Sequence, residues 1–333
     1  MEVYFPPYFH GFRCTAGACP DSCCKEWAVD VDPEAAAYYR GLSGDLGDRL
    51  RSVLQDTEDG TVMEIENGRC PMWRTDGLCR IQAELGHDAL CETCRNFPRL
   101  RHDYGDFVEL GLELSCPEAA RLILGSDGGF LVQAQPGGSQ PEYDREVMAV
   151  LRQSRKEALD FLRGAEDVAQ ALAAILLFAH GVQSVIDGGE SYAAAEDCAR
   201  DVVRFRGDGD LAAVLELFRS LEILTEQWAA RLQQPACDVV WDAALGRLAR
   251  YMIERYWLQA VSDYDLTCRV KFILLSCLVV CALGGDFVST AQLFSKEIEN
   301  NYGNVEAILD AAYASPLFTD DRLLGLTLGI RES

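Results

Sequence analysis

Residues 12–27 read FRCTAGACPDSCCKEW, which puts Cys14, Cys19, Cys23 and Cys24 in one short loop. Outward from it come Cys70, Cys79, Cys91, Cys94 and Cys116, so nine of the fourteen cysteines fall in the first 116 residues. Cysteine used as a small buried hydrophobe occurs singly, not in spaced clusters. Clustered thiols serve disulfides, zinc or an iron–sulfur centre. The gaps run Cys14-x4-Cys19-x3-Cys23-Cys24, then Cys70-x8-Cys79, then Cys91-x2-Cys94. Short gaps let the thiolates of one loop converge, and long gaps recruit ligands from a second. Tetrahedral zinc takes four ligands and a [4Fe–4S] cluster takes one cysteine per iron, and both agree with this spacing. Three cysteines on such a cluster would leave one iron open to a substrate or cofactor. His10, His87 and His102 lie near the cysteines and are candidate fourth ligands, although histidine is more often solvated or capping.

Disulfides fit worst. A chain of 333 residues can bury a core without staples, and disulfide scaffolds are usually short and secreted. The opening MEVYFPPYFHGFRC has no basic segment followed by an apolar run, so no secretory leader is read there and a cytoplasmic protein is expected. The longest apolar stretches, ALAAILLFAHGVQSVI (171–186) and FILLSCLVVCALGG (272–285), fall short of the roughly 20 residues of a spanning helix. They read as buried core helices, and no membrane partner is expected. The net charge of −23, from 30 basic and 53 acidic residues, argues against nucleic acid, which demands a basic face. It suits solubility or a basic, lysine-presenting partner.

Composition divides the chain into a cysteine-rich metal-binding region (1–125), a Gly/Pro/Gln-rich linker or long loop (126–142) and a helical domain (143–333). The fold expected is mainly α: an irregular N-terminal region followed by an all-helical bundle. Val214, Leu217, Phe218, Leu221, Leu224, Trp228 and Leu232 recur at helical steps, as do Leu248, Met252, Ile253, Tyr256, Trp257 and Ala260. Met148, Leu151, Leu159 and Leu162 mark a helix over 145–163, and RGDGD (206–210) is a polar break. Ser289 and Thr290 are candidate N-caps for AQLFSKEIENN. Asp32-Pro33-Glu34 reads as N-cap, N1 proline and acidic first turn. Ser115 and Glu118 stand at capping-box spacing, which puts Cys116 at a helix N-terminus, where free N–H groups favour a thiolate.

No Cys-x3-Cys-x2-Cys run is present, because Glu26 stands where the third cysteine belongs, and no glycine-rich nucleotide fingerprint, P-loop or GxSxG is found. Four ordered motifs remain. Phe12, Cys14, Cys19, Cys23, Cys24 and Trp27 form the first; Gly68, Cys70, Pro71, Gly77, Cys79 and Ile81 the second; Leu90, Cys91, Thr93, Cys94, Phe97, Pro98 and Arg99 the third; LGLELSCPEAARLIL (110–124) the fourth. Together they resemble the flagellin lysine-N-methylase family, and the first three resemble the broader zinc- or iron-chelating cysteine-cluster domain. RYWLQAVSDYDL (255–266) and LFSKEIENNY (293–302) extend the likeness more loosely.

The resemblance implies methyl transfer from S-adenosylmethionine to lysines of a flagellin-like protein in the cytoplasm. It also implies an iron–sulfur cluster on cysteines drawn from Cys14, Cys19, Cys23, Cys24, Cys70, Cys79, Cys91, Cys94 and Cys116. An open iron holding the donor's amino and carboxylate groups is one way to bind it. The alternatives are a zinc-stabilised protein-binding module or an iron–sulfur redox protein. Attack by lysine needs the neutral amine, so a proton acceptor is required. Asp103, Tyr104, Glu109, Glu113 and Glu118 are candidates, while Trp27, Trp73 and Phe97 could shelter a cluster or pack on a sulfonium. The oligomeric state is not legible.

Overall fold

The structure is a computed structural model that describes residues 1–202, 209–236 and 242–329. Seven strands and fifteen α-helices occur among the described residues. The strands are β1 (Glu2–Phe5), β2 (Val29–Val31), β3 (Leu54–Thr57), β4 (Gly60–Met63), β5 (Arg99–Asp103), β6 (Phe107–Leu112) and β7 (Leu131–Ala134). The early helices are α1 (Pro33–Gly41), α2 (Gly44–Val53), α3 (Arg80–Leu85), α4 (Glu92–Asn96) and α5 (Pro117–Leu124). The rest are α6 (Arg145–Gly164), α7 (Val168–Ile186), α8 (Ala195–Val202), α9 (Leu211–Ser220), α10 (Glu226–Gln233), α11 (Ala243–Tyr256), α12 (Leu266–Leu283), α13 (Phe287–Phe294), α14 (Tyr302–Ala314) and α15 (Asp320–Gly329).

The protein is mainly α, but its N-terminal part is more regular than expected. One sheet has the order β5-β6-β1-β7, with β1 parallel to β6 and antiparallel to β7. The other is β2-β4-β3, closed by the hairpin at Glu58-Asp59. Strands of three to six residues between turns are too short to show an alternating pattern, which hid both sheets. The stretch 126–142, read as a linker or loop, carries β7.

Two cores are present. The larger runs from Phe9, Phe12, Phe107 and Leu112 through α5 into the helices, ending at Leu326. The smaller is built from residues 29–91: Val29, Tyr39, Leu50, Met63, Cys70, Met72, Ile81 and Cys91 among them. α12 is buried at every position except Thr267, and its two charged residues, Arg269 and Lys271, are ion-paired with Asp263 and Asp320. By length and composition α7 and α12 could each cross a membrane, but both contribute to the larger core.

Several boundaries differ from the sequence reading. The stripe Val214–Leu232 is two helices, α9 and α10. The break occurs because Asn304 Oδ1 accepts from Glu222 N (3.0 Å), Glu297 Oε2 accepts from Leu224 N (2.8 Å), and Thr225 caps Trp228 N (3.1 Å). Asp286, not Ser289 or Thr290, caps α13, accepting from Ser289 N at 2.9 Å. The expected capping box at Ser115 is absent: Cys116 is the N-cap of α5, and Glu118 pairs with Arg121. Asp32 does cap α1, through Ala35 N at 2.9 Å. Residues 206–208 of the RGDGD break lie outside the described residues.

Candidate metal centre

The nine N-terminal cysteines sort into two groups, and no disulfide links them. Negative charge at Cys79, Cys91 and Cys23 bears on Cys70, and charge at Cys91, Cys24 and Cys70 bears on Cys94. Cys24 likewise raises the Cys23 thiol. These six thiols therefore lie near enough to feel one another's charge, and they come from three segments. Cys70 N donates to Cys24 O (2.8 Å), Glu26 N to Gly68 O (3.2 Å) and Arg80 N to Met72 O (2.7 Å), which tie the first loop to the second. Asp32 reaches the third by accepting from Glu92 N at 2.7 Å. Cys116 feels instead Cys19 and Cys14, so these three form the second group.

Three of the nine, Cys79, Cys91 and Cys116, are N-cap residues of α3, α4 and α5. Free N–H groups at such positions favour a thiolate, yet burial outweighs them. Burial pushes the Cys70 and Cys116 thiols up to about 11, against the N–H groups that face them, and raises Cys79 as well. At Cys116 burial opposes the N–H groups of Ala119 and Glu118, which act in the expected direction. Cys91 alone is lowered, to about 7, chiefly by the hydrogen bond from Cys94, whose own thiol is driven up in return. Six neighbouring thiols cannot ionise together without a cation to offset their repulsion. The donor set thus suits a multivalent metal centre, although among the described residues no three His, Cys, Asp or Glu side chains close around a single ion.

The helical body reaches this region through a π-helical turn, Ser295–Glu299. Lys296 is buried there, 2% exposed at its side chain, with Nζ 3.0 Å from Asp21 Oδ2, paired also with Glu26, and 5.1 Å from the Trp27 ring. Burial works to raise the Asp21 carboxyl, but Lys296, Ser22 N and Lys25 hold it below the usual range. Gln292 Nε2 donates to Asp21 Oδ2 (3.2 Å) and to Ser115 O (2.7 Å), and Asn300 Nδ2 donates to Ser115 Oγ (3.0 Å). One turn therefore anchors the Cys19–Cys24 loop and the Cys116 loop together. Sequence reading missed Asp21, Lys296, Gln292 and Asn300. The available signal was polar residues crowded into the otherwise apolar LFSKEIEN, and π-turns of this kind are frequent at functional sites.

The residues proposed for proton transfer are mostly engaged elsewhere. Glu109 makes a buried two-pronged pair with Arg155, Asp103 pairs with Arg101 (2.7 Å) at the surface, and Glu118 pairs with Arg121. Tyr104 stacks on Phe107 at 4.6 Å, and burial raises its hydroxyl well above the usual value. Glu113 is different: burial lifts its carboxyl above the ordinary range, against Arg255 and aided by Glu299, and it accepts from Ser115 Oγ at 3.3 Å beside Cys116. Trp73 lies under Arg69 (3.7 Å) and Trp27 beside Phe97 (6.4 Å). His10 packs edge-on against Phe5 and Phe9. His87 starts the 3-10 turn His87–Ala89, and His102 lies on β5.

Comparison with known proteins bears on this constellation. The chain is similar to the flagellar biosynthetic protein FliU of Salmonella muenchen, 32% identical over 137 residues that take in 37% of this chain and 78% of FliU. It is equally similar to the lysine-N-methylases of Salmonella typhimurium and Salmonella choleraesuis, 32% identical over 137 residues. The match spans only 33% of the length of those two proteins. No family model matches the chain, and no solved structure matches it.

Proposed function

The chain belongs to the family of FliU and the lysine-N-methylases, and from that premise we propose that it is an S-adenosylmethionine-dependent protein lysine N-methyltransferase. Its substrate is a flagellin-like protein met in the cytoplasm, and its cysteines hold an iron–sulfur cluster. The observation that carries this reading is that hydrogen bonds tie together the loops bearing Cys23 and Cys24, Cys70 and Cys79, and Cys91 and Cys94, with Cys14, Cys19 and Cys116 as a second set. Thiol-only donor sets select zinc or iron–sulfur centres. A cluster held by three of these thiolates would supply a Lewis-acidic iron.

The reaction itself is a displacement. The neutral lysine amine attacks the sulfonium methyl, the C–S bond breaks, S-adenosylhomocysteine leaves, and the ammonium product gives up a proton. Glu113, raised by burial and three residues before Cys116, is the candidate acceptor. The net charge of −23 draws lysine-bearing chains toward the protein.

The decisive experiment uses anaerobically purified protein, purified flagellin and methyl-labelled S-adenosylmethionine, with iron, sulfide and zinc measured on the same sample. Label in flagellin lysines together with iron and sulfide supports the proposal. Stoichiometric zinc without sulfide, and no label transferred, overturns it.

A further inference from the structure

A cavity of about 40 Å³ lies between the β5–β6 pair and α11, lined by Tyr8, His102, Glu109, Tyr251, Glu254 and Arg255. One water needs roughly 10–15 Å³, so there is room for a small polar group. Half-buried Leu100, His102, Gly111 and Phe130 on its wall leave it within reach of the surface.

Most charges here are already matched. Glu109 takes both terminal nitrogens of Arg155, and Glu254 accepts from Arg250 Nη1 (2.8 Å) and Gly129 N (3.0 Å). Arg255 is less well served. Its Nη1 donates to the Tyr251 hydroxyl at 2.7 Å, but its Nε stands 3.4 Å from Glu299 Oε1, out of line for a hydrogen bond. Arg255 Nε and His102 Nε2 are both buried atoms with no hydrogen-bond partner among the described residues. Burial, and next the Arg255 charge, keep His102 neutral, so its ring can present a donor. Buried donors left unmet are costly, and a guanidinium is shaped for a carboxylate.

We propose that this cavity receives the carboxylate of an amino-acid moiety, with Arg255 and His102 as its donors, and that the methionine end of S-adenosylmethionine supplies it. The proposal rests on the methyl-donor reading above and places the carboxylate on side chains rather than on iron. Its position agrees: Leu114 N donates to the Tyr251 hydroxyl at 3.3 Å, and Cys116 lies two residues further along. One hydrogen bond thus joins the cavity wall to the segment that leads into Cys116.

The test is calorimetric titration of the anaerobically purified full chain with S-adenosylmethionine, its decarboxylated analogue and L-methionine. The same titrations follow on Arg255→Lys and His102→Leu, with circular dichroism to confirm folding. The wild type is expected to bind the decarboxylated analogue at least about tenfold more weakly than S-adenosylmethionine. The protein's negative field alone would favour the more cationic analogue, so this preference reports a local site. Arg255→Lys should weaken S-adenosylmethionine by a similar factor and leave the analogue unchanged, and His102→Leu should act in the same direction. Equal affinity of the wild type for both donors overturns the proposal, as does an Arg255→Lys effect that is the same for both. Binding of L-methionine with none of S-adenosylmethionine gives the cavity to a free amino acid and overturns the stated source. No binding of any of the three by folded wild type overturns the methyl-donor reading itself.

Discussion

Lys296 is one of four lysines in the chain, and it is almost wholly enclosed. Its two carboxylate partners keep about a quarter of their surface, 24% for Asp21 and 28% for Glu26. Lys296→Met would leave both without their main counter-charge. The cost expected is about 2 kcal/mol, below the 3–5 typical of a fully buried pair because water still reaches the carboxylates. Chemical denaturation measures it. Iron retained per chain after gel filtration should fall in the same variant, since the Cys19–Cys24 loop loses its anchor. Glu113→Gln addresses the chemistry instead. It should lower the methyl-transfer rate by about 10²-fold with iron content unchanged. In the unaltered protein the rate should fall as pH drops through the Glu113 pKa. Because burial raises that pKa, the fall should begin above the ordinary carboxylate range.

Among the elements, α15 packs Leu323, Leu324 and Leu326 into the larger core and is tied to α7 and α12 by one charged side chain. Asp320 meets His180 of α7 at 2.8 Å and Lys271 of α12 at 2.9 Å. The His180 contact, then Lys271, lower its carboxyl to about 2, against burial. A depressed carboxylate stabilises the fold above its unfolded pKa near 3.9, and that contribution is lost as pH falls toward 2. Asp320→Asn should cost about 1 kcal/mol at pH 7, discounted because a third of the side chain is exposed, and should flatten stability against pH between 4 and 2 in a denaturant series. The helices that bracket this contact were legible: apolar runs gave α7 and α12, and the Asp32-Pro33 signal gave α1. The other caps and the α9–α10 break were not. Asp286 displaced Ser289 because it precedes the turn at the right phase, and the α9–α10 break depends on Asn304 and Glu297, far away in sequence. The two thiol groups could not be separated by spacing either, because Cys19 and Cys23 are near neighbours in sequence and fall on different sides.

At the scale of the whole molecule, two cores imply two stabilities. The smaller, built from residues 29–91, has few apolar side chains and draws two of its members, Cys70 and Cys91, from the thiol group. Small cores need a metal or similar staple. Stripping metal with a chelator should therefore speed amide hydrogen exchange across 29–97 by at least about tenfold, while α7 and α12 stay protected. Uniform exchange in both regions would show instead that the cores unfold together. Leu50→Ala, at a fully buried position of the smaller core, should cost about 3 kcal/mol, read from the first transition alone.

The sheet order also sets a timetable for synthesis. β1 lies between β6 and β7, so Glu2 pairs with Phe107 on one side and Ala134 on the other. Chains emerge from the ribosome at about 5–20 residues per second, N-terminal part first. β1 must therefore wait several seconds as a bare strand, with Val3 and Phe5 uncovered, while the intervening cysteine-bearing unit is completed ahead of it. A nascent chain can thus be supplied with metal before the scaffold that will hold it exists, and during that interval it is a client for whatever shields exposed strands.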